Sequence, residues 1–139
     1  MATSISEITG GLVSKPLVEY KWWKHHVAFF TAIFFVLPMI LAFYAGLSPV
    51  WAYFGLGGAV RIGTNWVLRG LGVFVAITWF GSLIGYYYDA KYIRTLDSDW
   101  SPYWMAYTAV HVIPVAGALL AVPIYVLQRM RHVGLPLFS

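Results

Sequence analysis

The sequence contains no cysteine. That removes disulfides, thiolate zinc sites, iron–sulfur clusters and thioether-linked haem. Charge is scarce as well. Only 10% of residues are Asp, Glu, Lys or Arg, with five acids against nine bases, whereas a soluble domain carries about 25% charged residues. A proton-coupled transporter wants an acid inside its bundle, and Asp89, Asp97 and Asp99 all fall in a stretch that reads as one aqueous loop. Hydrolase triads, phosphate-cradling glycine loops and His-Glu-x-x-His zinc motifs are missing, as is a basic cluster suited to nucleic acid. No catalytic residue is therefore assigned, and nucleic acid is not an expected partner. No metal site is assigned either: His25 and His26 are adjacent, and neighbours on a helix point in different directions.

Apolar residues are what the chain has in excess: 60% are hydrophobic and 19% aromatic. A chain of 139 residues leaves much of its surface exposed, so this composition implies an all-α integral membrane protein. The expected architecture is three transmembrane helices plus a short interfacial or re-entrant segment, multi-pass in the cell or cytoplasmic membrane. Gly70 to Tyr88 is its centre, about 19 charge-free residues rising roughly 28 Å, close to the hydrocarbon thickness of a bilayer. Arg69 and Asp89 bound it.

The organisation expected is one membrane domain over 1–139. Residues 1–20 form an interfacial arm, with Ser14 and Pro16 as a helix start. The apolar run begins too late and runs too long for a secretory leader. The first span covers 25–47 and is kinked at Pro38. Residues 49–61, rich in glycine and too short to cross, form the interfacial or re-entrant segment. The second span covers 66–88, a polar loop 89–101, the third span 102–128 with bends at Pro114 and Pro123, and a tail 129–139. With three spans, Lys15, Lys21, Lys24, Lys91 and Arg94 oppose Arg61, Arg69, Arg129 and Arg131, so orientation is nearly balanced.

Trp22, Trp23 and Lys24 read as headgroup anchors, and Arg61 and Arg69 as headgroup contacts. Gly72, Ala76, Gly81 and Gly85 are spaced as small-xxx-small pairs that let another helix approach closely. Thr78 and Ser82 are expected to bond back to their own helix or across to a neighbour. His111 lies about 13 Å along the third span, on a stripe with Tyr103 and Tyr107. An ionisable residue at such depth faces protein. A neutral imidazole bonded to a hydroxyl such as Thr78 or Ser82, or to another subunit, satisfies it.

The alternative makes His111, with Tyr107, a site for haem, another pigment or quinone. An internal bis-histidine haem conflicts with the expected depths, since His25 and His26 sit at the surface in this arrangement. The function expected is therefore a non-catalytic small subunit, needing no cofactor, that packs into a larger membrane assembly or homo-oligomer. Its partners are the lipid bilayer and other membrane subunits. An electron-transfer anchor is the alternative, and an oligomeric pore or transporter comes third.

Overall fold

The computed structural model describes residues 17–113 and 116–135. Most of the 1–20 arm, with Ser14 and Pro16, lies outside the described residues, as do Pro114 and the end of the 129–139 tail. The described residues are helical, with no strand among them. In chain order the elements are α1 (Trp23–Thr31), a π-helical stretch (Ala32–Val36), α2 (Leu37–Gly46), α3 (Ser48–Tyr53), α4 (Gly57–Ile93), α5 (Trp104–Val112) and α6 (Ala116–His132).

The first rod is continuous from α1 to α2, and its irregularity has a local cause. Pro38 stands in the first turn of α2. It has no N–H, and its ring crowds the carbonyl four residues back. The widened π turn lies immediately before it, where a helix can absorb that conflict by taking in an extra residue. Pro49 then opens α3. Gly55, at φ 69°, closes the reversal in a backbone conformation that costs an L side chain energy.

The 49–61 segment is not a separate unit. Its first part is the six-residue α3, and from Gly57 the chain has already joined α4. α4 runs unbroken for 37 residues, about 55 Å. It therefore begins before, and ends after, the 66–88 span expected from the charge-free run. Arg61, Arg69, Asp89 and Lys91 interrupt the apolar pattern but carry no helix breaker, so the helix passes through them.

The third expected span is divided. α5 has nine residues and α6 has 17, and Ile113 between them is extended at φ −61°, ψ 119°, the conformation imposed on a residue before proline. The two helices fold back on each other, with the Tyr107 and Tyr125 rings 5.0 Å apart. A helical hairpin thus replaces the single helix expected over 102–128. Pro123 is carried inside α6. Among the described residues, two helical stretches are long and apolar enough to cross a membrane, Leu17–Gly46 and Gly57–Ile93.

Packing is uneven along the molecule. Phe29, Tyr86, Ala118, Ala121, Val122, Tyr125 and Val126 form the core where α1, the second half of α4, and the α5–α6 hairpin meet. The buried residues of α4 start only at Thr78 and continue through Gly81, Ser82, Gly85, Tyr86, Asp89, Ala90 and Ile93. That is the three-and-four spacing of one helix face. α2 and α3 contribute no buried residue. The molecule has a packed end and an open two-helix end.

Candidate functional site

A file of polar side chains runs through the packed end. Its best-defined part is a buried ion pair. Asp89 and Arg129 are 1% and 2% exposed. Arg129 donates to Asp89 through Nε (2.9 Å to Oδ2) and Nη2 (3.2 Å to Oδ1), a two-pronged contact. The Tyr125 hydroxyl donates to the same Oδ2 at 2.8 Å. The third arm of the guanidinium is used too: Nη1 donates to the Gly134 carbonyl at 2.5 Å. The guanidinium also lies 5.3 Å from the centre of the Trp23 ring.

This overturns two expectations. Asp89 is not in an aqueous loop, and an acid does sit inside the bundle. Arg129 is not a tail charge. Both residues lie on stripes whose other members are apolar or aromatic: Tyr86, Ala90 and Ile93 on α4, and Val122, Tyr125 and Val126 on α6. The charged position on each helix simply continues the buried face. That spacing is readable in the sequence, but the charge masks it.

The glycine pair is where the first rod seats itself. A Cβ on Gly81 would overlap the His25 ring, and one on Gly85 would lie 2.7 Å from His26 Cε1. Gly81 and Gly85 therefore form a helix–helix contact within the chain, and the histidines fill the groove they leave. Gly72 and Ala76 do not join it. Gly72 has nothing within 4 Å of its missing Cβ, and Ala76 is exposed. Gly72 and Gly81 are nine positions apart, about two and a half turns, so they face opposite ways.

His26 is completely buried and stacks on Tyr125 at 4.7 Å, with Tyr86 at 4.5 Å. His111 is also completely buried, and its Nδ1 meets the Tyr86 hydroxyl at 3.0 Å. A hydroxyl of α4 does hold His111, but it belongs to Tyr86 and not to Thr78 or Ser82. Thr78 bonds back to the Phe74 and Val75 carbonyls at 3.0 and 3.1 Å. Tyr86 touches both imidazoles, so His26 and His111 occupy one layer. The depth mismatch expected between them came from treating 102–128 as one straight span. The half-buried Tyr107 stacks on Tyr86 at 5.6 Å.

The rings fill this layer. Tyr86 is packed against both histidines, and the N–C–N edge of His26 faces the α4 backbone at Gly85. A haem plane between the two has no room. No group of three or more metal-ligating residues occurs among the described residues. Several buried polar atoms make no hydrogen bond: both ring nitrogens of His26, Ser82 Oγ and His111 Nε2. The Trp22 and Trp79 backbones nevertheless act on His26 and His111 respectively as longer-range hydrogen-bond partners.

The expected headgroup residues divide. Trp23 is 3% exposed and belongs to the core, because it covers the Arg129 guanidinium. Trp22 is half-buried, donates from Nε1 to the Leu17 carbonyl at 2.6 Å and stacks on Tyr88 at 5.5 Å. Lys24 is exposed and 6.0 Å from the Trp23 ring centre. Arg61 and Arg69 are exposed on the open end, and Arg69 lies over Trp66 at 5.4 Å.

Comparison of the chain with models of known protein families, with curated proteins and with solved structures finds no match in any of the three.

Proposed function

We propose that the chain is a small, non-catalytic integral membrane subunit. The observation that carries this reading is the open end. From Leu37 to Ile77 no described helix contributes a buried residue, yet this half displays Met39, Phe43, Tyr53, Phe54, Ile62 and Trp66 on its surface. Water-soluble monomers rarely expose apolar area on that scale. Lipid covers it in this reading, and a neighbouring subunit covers part of it.

In this reading Leu17–Gly46 and Gly57–Ile93, the two stretches long and apolar enough to cross, are the spans, and the packed end lies at one face of the bilayer with the α5–α6 hairpin braced against it. Lys21, Lys24, Lys91, Arg94 and Arg131 then share that face, while Arg61 and Arg69 stand toward the other. The bias favours the packed end as cytoplasmic, in place of the near balance of a three-span layout. The buried polar file holds the hairpin in register on the two spans.

Carbonate extraction of membranes tests the location, and the chain is expected in the pellet. Release into the carbonate supernatant would sink it. Cross-linking in native membranes followed by native mass spectrometry in mild detergent tests the assembly. A chain that is monomeric and uncross-linked in both would remove the subunit role.

A further inference from the structure

We infer that the outward face of α4 around Arg69 docks a transmembrane helix of a different subunit, one that presents a carboxylate to the guanidinium. This deepens the subunit reading and rests on its membrane location. Two shared surfaces fix the register of the two rods. Val67 lines a groove with Met39 and Ile40, and Val75 lines a cavity with Ile33. Arg69 therefore stands level with Pro38, close to midway between Lys24 and the turn at Gly55. The surface is apolar on both sides of that level. Leu41, Phe43, Tyr53 and Phe54 are exposed toward the turn, and Val73 and Ile77 in the other direction. From Lys24 to Arg61 the chain has no Asp, Glu, Lys or Arg between them, and Arg61 lies about 12 Å along α4 from Arg69. Lipid that covers this surface reaches past Arg69 on either side, which puts the cation inside hydrocarbon.

Among the described residues Arg69 has no ion pair and no hydrogen bond; its guanidinium lies over the Trp66 ring, 5.4 Å from the centre. The ring shields one face and leaves the charge uncancelled. Charged side chains at membrane depth turn to protein and pair there. The shape of the face fits a helix. Asn65, Arg69, Gly72 and Ala76 share it at three- and four-residue spacing, and all four are exposed. Gly72 has nothing within 4 Å of its missing Cβ, so a second backbone can come close beside the guanidinium. A hollow of about 250 Å³ opens there, lined by Ile62, Asn65, Trp66 and Arg69. All four belong to α4, so its outer wall must come from a neighbour. A carboxylate takes the two-pronged guanidinium contact, and the Asn65 amide offers it a further donor.

A second copy does not supply that acid. Residues 20–88 contain no Asp or Glu, and Asp89 is committed to Arg129. The partner is a different membrane chain with an acid within its span.

The full-length chain, carrying a donor dye on Ser48→Cys, is reconstituted in phosphatidylcholine vesicles. Acceptor-labelled Leu/Ala transmembrane peptides bearing Glu, Gln or Leu at their centre are added, and donor emission is followed. The Glu peptide should saturate at a content about tenfold lower than the other two, the equivalent of one hydrogen bond to a charged group. Arg69→Leu should erase that preference. Gly72→Leu should weaken it by filling the line of approach.

Equal transfer from all three peptides overturns the inference, and so does a Glu preference that survives Arg69→Leu. Transfer between donor- and acceptor-labelled copies of the chain that both variants abolish makes this a contact between copies and overturns the heterologous partner. No Glu preference, with emission that responds to phosphatidylglycerol in the parent chain but not in Arg69→Leu, assigns Arg69 to lipid headgroups and overturns it too. Failure of the chain to float with carbonate-washed vesicles overturns the membrane reading itself and the inference with it. Circular dichroism checks each variant. If Arg69→Leu does not fold, the three peptides against the parent chain decide.

Discussion

Breaking the Asp89–Arg129 pair should destabilise the packed end more than any other single polar change. In Arg129→Gln the Asp89 carboxylate loses both guanidinium contacts, at 2.9 and 3.2 Å, and retains the Tyr125 hydroxyl. In Asp89→Asn the buried guanidinium loses its counter-charge and keeps the Gly134 carbonyl and the Trp23 face. Both sites are about 2% exposed or less, so water cannot re-solvate the charge left behind. Removing one member of a buried pair costs about 3–5 kcal/mol, against roughly 0–1 kcal/mol for exposed pairs. The double variant carries two neutral amides and strands no charge. It should be less destabilised than the sum of the singles by about 2 kcal/mol or more. Tyr125→Phe removes one bond to a charged acceptor and should cost about 1.5–3 kcal/mol.

The assay is reversible unfolding in mixed detergent micelles, followed by tryptophan emission, for the wild type, the two singles and the double. Singles costing under about 1 kcal/mol each, with an additive double, would match an exposed pair. That result would refute the claim that the pair holds the hairpin onto α4.

Gly85→Leu should prevent α1 from seating on α4, because even a Cβ there meets His26, whereas Gly72→Leu meets open space and should leave stability in detergent unchanged. Equal effects of the two would remove the assigned face. Because the chain has no native cysteine, single-cysteine variants report sidedness cleanly. Thr95→Cys and Ser48→Cys should react with a membrane-impermeant maleimide from opposite sides, and labelling from the same side would rule out the two-span hairpin. Tyr86→Phe takes the partner from His111 Nδ1 and should cost about 0.5–1.5 kcal/mol. A loss several times larger in micelle unfolding would mean that the phenol does more than hold the imidazole.

The residues alone determine the helical class and the position of the long apolar runs, because both depend on composition and near-neighbour spacing. Pro38, Pro49 and Gly55 mark local irregularities for the same reason: their constraints act within one turn. Gly81 and Gly85 are legible as a contact face, since missing side chains at four-residue spacing invite a helix whatever its identity. The rest required tertiary structure. A rule that places charges in water puts Asp89 in a loop and Arg129 in a tail. Only the approach of α4 to α6 lets each neutralise the other, which removes the cost of burying either. A run of 27 residues over 102–128 reads as one span until chain reversal at Ile113 brings Tyr107 against Tyr125. That reversal also sets His111 level with His26, a relation between positions 85 residues apart in the chain. Spacing can show which residues share a face of one helix. Which faces meet is decided by packing between distant segments, and in this protein the polar file exists only at that meeting.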